Sequence, residues 1–145
     1  MAEQTTSSIE IGATPDRVMS VIVDFEDYPA WAQGMKHVEV RSRDADGRAE
    51  RVYFELEASP IKDSYTLAYD YGSDTVLRWH LVEGKMLRSL DGAYELRPAG
   101  SGTEVTYRLS VDLAIPMIGM LRRKAEKVII DTALKGLKKR VESRA

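Results

Sequence analysis

Between Lys36 and Leu113, apolar residues return at every second position in six short runs. Val38 and Val40 alternate with Glu39 and Arg41. Val52, Phe54, Leu56 and Ala58 alternate with Arg51, Tyr53, Glu55 and Glu57. The pattern repeats through Tyr65, Leu67, Tyr69 and Tyr71, through Leu77, Trp79 and Leu81, through Leu90, Gly92, Tyr94 and Leu96, and through Val105, Tyr107, Leu109, Val111 and Leu113. Period-two alternation puts one face of each strand in a core and the other in water. The breaks carry turn chemistry: Asp44-Ala45-Asp46-Gly47, Ser59-Pro60, Gly72-Ser73-Asp74, Glu83-Gly84-Lys85 and Pro98 to Gly102. Connections this short join antiparallel neighbours, so the six runs predict a meander.

Other elements flank the meander. Ile9 and Ile11 alternate with Ser8 and Glu10, a first strand over about Thr5–Ile11. Thr14 suits a helix N-cap, Pro15 the first helical position and Asp16 the positive helix end. Val18, Met19, Val21, Ile22 and Phe25 then follow at helical spacing, so Pro15–Phe25 reads as a short amphipathic helix. Glu26–Gln33 reads as a second short helix or turn interrupted by Pro29, with Tyr28 and Trp31 as anchors. A long helix is predicted from about Pro116 to about Arg144. Ala133, Leu134, Leu137 and Val141 share one face of it. Met117, Ile118, Leu121, Ala125, Val128 and Ile129 lie on another, which predicts a bend or a change of contact surface. The fold class is α+β, a curved antiparallel sheet of about seven strands in the order β-α-α-β6-α, forming a single domain over residues 1–145. One helix does not cover the concave face of such a sheet, so a cavity is expected between the layers.

The chain has 145 residues with a net charge of −2, which gives no bulk attraction for nucleic acid. No cysteine is present, so disulfides and thiol chemistry are out. No apolar run is long enough to span a bilayer, and MAEQTTSS lacks a leader's basic and apolar regions, so a cytoplasmic location is expected. His37 and His80 read as surface residues outside any metal-ligand spacing. No Gly-x-Ser-x-Gly elbow, P-loop or Gly-x-Gly-x-x-Gly pattern occurs, and no cofactor is expected.

Two opening stretches, Ile9-Glu10-Ile11-Gly12-Ala13-Thr14-Pro15-Asp16-Arg17-Val18 and Asp24-Phe25-Glu26-Asp27-Tyr28-Pro29-Ala30-Trp31, resemble the START-like (SRPBCC) superfamily, above all its bacterial polyketide cyclase/dehydrase and coenzyme-Q-binding branches. Trp79-His80-Leu81-Val82-Glu83-Gly84, Asp91-Gly92-Ala93-Tyr94-Glu95-Leu96 and Thr103-Glu104-Val105-Thr106-Tyr107 agree with it. The resemblance covers nearly the whole chain and implies the helix-grip fold. Members include lipid carriers, hormone receptors, aromatase/cyclases and ribosome-associated factors, so it carries no single activity.

The inward parity offers the expected ligand-binding set: Phe54, Leu56, Tyr65, Leu67, Tyr69, Leu77, Trp79, Tyr94 and Tyr107 from the sheet, Trp31 at one end, and Met117, Ile118, Leu121 and Val128 from the long helix. Met117 to Leu121 also reads as a gate at the cavity mouth. Arg51, Arg78, Arg97 and Arg108 fall on the outward parity, and Arg88 sits where a bulge would redirect it. Tyrosines titrate near ~10 and make poor acid–base catalysts at neutral pH. The expected function is carriage, sensing or presentation of a hydrophobic or aromatic small molecule (lipid, quinone or polyketide-like), with no stable membrane insertion and no protein partner identified. A polyketide cyclase or dehydratase using cavity tyrosines is the alternative. A ribosome- or protein-interaction factor acting through the basic helix is the third.

Overall fold

The computed structural model describes residues 4–58, 61–114 and 119–144. Strand β1 (Thr5–Ile11) leads into helix α1 (Pro15–Ile22) and a 3₁₀ turn (Phe25–Ala30). Strands β2 (Met35–Arg43), β3 (Ala49–Ala58), β4 (Ile61–Ser73), β5 (Val76–Gly84), β6 (Leu87–Ala99) and β7 (Gly102–Leu113) follow, and helix α2 (Gly119–Ser143) closes the chain. The sheet has seven strands in the order β1-β7-β6-β5-β4-β3-β2, every pair antiparallel. The six-strand meander is therefore present, and β1 returns to pair with its last strand.

Alternation sets the faces. Along β7 every second residue from Thr103 to Leu113 is buried, while Asp112 is exposed and the residues between are half-covered. Helix α2 lies against β1, β7 and α1, and the 3₁₀ turn lies against β2. Helix α1 stops at Ile22, three residues earlier than the spacing predicts, because Phe25 begins the 3₁₀ turn instead. Gly34, at φ +86°, then swings the chain into β2, a conformation open to glycine without strain.

Two buried carboxylates brace the fold and were not anticipated. Glu126 on α2 is 0% exposed. It accepts a hydrogen bond from the Thr5 hydroxyl at 2.6 Å and another from the Val111 amide at 2.7 Å. The buried seam of α2 runs at helical spacing through Glu126, Ile130, Leu134, Leu137 and Val141. A polar residue occupies the seam where the apolar pattern broke.

Asp63 of β4 is the second. Strands β5 and β6 pair only as far as His80 with Asp91, then part company before their turn. That leaves turn amides without ladder partners, a penalty when they are shielded from water. The Asp63 carboxylate accepts from the amides of Lys85, Met86 and Leu87 at 3.1, 3.0 and 2.9 Å, and from Ser64 at 2.8 Å.

Candidate functional site

Between the concave face and α2 lies a cavity of about 140 Å³. Its floor is a run of packed rings. Tyr69 and Trp79 have centroids 5.8 Å apart, Trp79 and Tyr94 5.3 Å, Trp79 and Tyr107 5.6 Å, and Tyr94 and Tyr107 4.7 Å. Phe54 stacks on Tyr65 at 5.4 Å on the β3–β4 side. Most of these pairs are tilted or edge-on, the arrangements that aromatic quadrupoles favour. Leu56, Leu67 and Leu77 fill the spaces between the rings. The roof is the α2 face Ala125, Val128, Ile129, Thr132 and Ala133, and Trp31, Ala32, Gln33 and Met35 close one end. Val128, 49% exposed, and the exposed Gln33 mark where the cavity meets solvent.

A glycine admits one of the rings, and a second ring lies beside a glycine of the roof. Trp79 pairs in register with Gly92, and a Cβ on Gly92 would lie 2.3 Å from Trp79 Cε2. On the roof, a Cβ on Gly136 would lie 3.5 Å from Trp31 Cε3 and 3.7 Å from its Cζ3, so the benzo edge of Trp31 rests on α2 at that glycine.

The polar character of the lining is specific. No Asp, Glu, Lys, Arg or His is among the described lining residues. Tyr28 donates its hydroxyl to the Ile22 carbonyl. The hydroxyls of Tyr65, Tyr69, Tyr94 and Tyr107 have no partner among the described residues. Burial holds all five phenols above their ordinary range, with neighbouring tyrosines adding to the effect at every one except Tyr107. They are neutral donors throughout physiological pH. The Trp31 Nε1 is buried and also lacks a partner among the described residues. The arrangement is an apolar chamber tipped with uncharged hydrogen-bond groups, suited to holding and orienting a guest, with no carboxylate or imidazole among its described lining residues.

Of the expected residues, Trp31, Phe54, Leu56, Tyr65, Leu67, Tyr69, Leu77, Trp79, Tyr94, Tyr107 and Val128 all line this cavity. Leu121 does not: it is 52% exposed, one helical turn before the first buried residue of α2, where the helix has passed the covered face. Met117 and Ile118, and with them most of the expected gate, lie outside the described residues. Sequence reasoning missed Tyr28, Met35, Ile129 and Ala133. Ala125, Ile129 and Ala133 repeat at helical spacing beside the buried seam, and that signal was present in the chain. Arg51, Arg78, Arg88 and Arg97 are exposed, and Arg108 pairs with Glu95 at 3.0 Å on the outer face. A register shift does occur between Leu87 and Ser89, yet it leaves Arg88 outside. His37 and His80 are exposed. Among the described residues no cluster of potential metal ligands occurs, and no helix is long and apolar enough to cross a membrane.

Comparison with known proteins agrees with this architecture. A START superfamily protein from Mycobacterium smegmatis superposes with a TM-score of 0.94 at 22% identity, over 99% of this chain and 100% of that one. A Thermus thermophilus protein gives 0.83 at 24% identity, over 98% and 99%. A Streptomyces aromatase/cyclase gives 0.76 at 13% identity, over 97% and 94%. At such identities the likeness is one of fold. No curated protein matches the sequence. The sequence itself matches, over residues 2–142, the model of the family described as polyketide cyclase/dehydrase and lipid transport, and the chain belongs to that family.

Proposed function

We propose that this protein binds a hydrophobic or aromatic small molecule in the chamber between sheet and α2, for carriage, sensing or presentation. The observation that carries the reading is the lining: rings and aliphatic side chains around about 140 Å³, with hydroxyls unpartnered and no charge among the described residues. An apolar void of roughly 150 Å³ takes a benzene-sized guest. The chamber therefore suits one ring, or one end of a longer lipid, quinone or polyketide-like molecule whose remainder leaves past Val128 and Gln33. The family description, which joins polyketide chemistry to lipid transport, supports the same ligand class. Cyclisation or dehydration is the weaker reading. It calls for a proton acceptor near the guest, and the lining supplies phenols that burial keeps protonated.

Both tryptophans of the chain, Trp31 and Trp79, line the chamber, so intrinsic fluorescence reports its occupancy. Mass spectrometry of organic extracts from gently purified protein should find an apolar molecule, and ethylbenzene added to stripped protein should change the fluorescence saturably. Val128→Trp, at the half-exposed mouth, should abolish both, while Arg123→Glu on the exposed side of α2 should change neither. An empty extract together with no uptake by stripped protein overturns the proposal, as does full uptake by Val128→Trp.

A further inference from the structure

The outer surface of α2 carries a second pattern, and from it we infer that the protein docks, reversibly and without insertion, on an anionic lipid surface. The docking stripe is Leu121, Lys124, Val128, Lys135 and Lys139. These residues recur at intervals of three, four, seven and four, which sets them along one side of the helix. All five are exposed. Leu121 is 52% and Val128 49% exposed, and Met120 beside Leu121 reaches 72%. Three of the four large apolar side chains exposed among the described residues therefore stand on the first turns of one helix. The docking concerns the outside of α2 and is independent of what fills the chamber.

The free charges along the stripe are of one sign. Lys127 and Lys138 are held by Asp131 and Glu142 at 2.9 and 2.8 Å, and Glu126 is buried. Lys124, Lys135 and Lys139 enter no ion pair among the described residues. Helix α2 carries eight of the chain's 21 Lys and Arg but three of its 23 Asp and Glu, so the rest of the chain is acidic. An anionic surface attracts α2 and repels the remainder, which turns the molecule stripe first. A purely acidic partner answers the lysines and leaves Met120 and Leu121 in water. An anionic bilayer meets both: headgroups pair with the ammonium groups, while the lysine stems and the apolar side chains reach the acyl boundary. Val128 also stands at the chamber mouth, so on the binding reading an apolar guest passes between bilayer and chamber without crossing bulk water.

Flotation of the purified protein with vesicles tests this. Vesicles of phosphatidylcholine mixed with phosphatidylglycerol should carry the protein, vesicles of phosphatidylcholine alone should not, and raised salt should release it. Lys124→Gln, Lys135→Gln and Lys139→Gln combined should weaken binding to the mixed vesicles about a hundredfold, at about fivefold for each lysine. Leu121→Ser should weaken it about fivefold or more by removing an apolar contact. Both variants should keep the parental circular dichroism and take up ethylbenzene as the parent does, since none of these four side chains lines the chamber. No flotation with mixed vesicles, equal binding to phosphatidylcholine alone, or a lysine variant that floats like the parent overturns the docking. Undiminished binding by Leu121→Ser, together with equally tight binding of the parent to polyglutamate, makes the stripe a site for acidic polypeptides and overturns it as well. Vesicle binding without ethylbenzene uptake by stripped protein supports the docking and overturns the chamber reading instead.

Discussion

Trp79 of β5 lies across Gly92 of β6, its registered partner, so closely that a methyl group on Gly92 would stand 2.3 Å from Cε2 and 2.4 Å from Nε1 of the indole. The glycine is a footprint. It lets a large ring lie against the sheet in contact with Tyr69, Tyr94 and Tyr107, and so sets the depth of the chamber floor.

Gly92→Ala should therefore destabilise the protein by about 1–3 kcal/mol, the usual range for overpacking a filled core. It should also change the fluorescence of Trp79, because the ring must move. Adding Gly92→Ala to a Trp79→Phe background should show a coupling of at least about 0.5 kcal/mol in a denaturation cycle. Strict additivity would mean the ring and the glycine do not share that space.

Glu126 offers a separate test of how α2 is fastened. Glu126→Ala strands the Thr5 hydroxyl and the Val111 amide, and should lower stability by about 2–4 kcal/mol in urea unfolding. Glu126→Gln keeps one acceptor oxygen and should lose about half as much. An alanine variant as stable as the parent would show that water replaces the carboxylate without penalty.

Asp63 governs the place where β5 and β6 separate. Removing its carboxylate leaves four amides without their acceptor, so Asp63→Ala should cost about 2–3 kcal/mol or more. Hydrogen exchange localises the effect: the amides of Lys85, Met86 and Leu87 should exchange faster, while those at the paired His80 and Asp91 positions stay protected. Uniform loss of protection would place the defect elsewhere.

Alkaline titration tests the electrostatics of the chamber. The folded-state pKa of Tyr28, Tyr65, Tyr69, Tyr94 and Tyr107 is raised by burial. Below about pH 10 both folded and unfolded chains keep these protons, so the five phenols contribute no slope of stability against pH. Above it the unfolded chain releases protons that the folded chain retains, and stability falls. Tyrosinate absorbance from the core should appear together with loss of circular dichroism, in one step. Core tyrosinate forming in protein that is still folded would show that the chamber is well hydrated.

The period-two runs from Lys36 to Leu113 sufficed for the meander and its inward set, because alternation is a local property: once one residue of a strand faces the core, its parity places the rest. Hence Phe54, Tyr65, Tyr69, Trp79, Tyr94 and Tyr107 were legible before any coordinates. Long-range geometry was not. Glu126 stands in the buried seam of α2 only because Thr5 and Val111, 121 and 15 positions away, arrive to satisfy it. Asp63 is buried because β5 and β6 part where its oxygens wait, 22 to 24 positions further along the chain. Leu121 and Val128, chemically alike and both assigned inward, were separated by where the helix leaves the sheet: Val128 lines the mouth and Leu121 faces water. Periodicity carries the side of an element on which a residue lies, but the depth of the chamber, its mouth and its unpaired donors depend on how far two layers approach, which is a property of their packing.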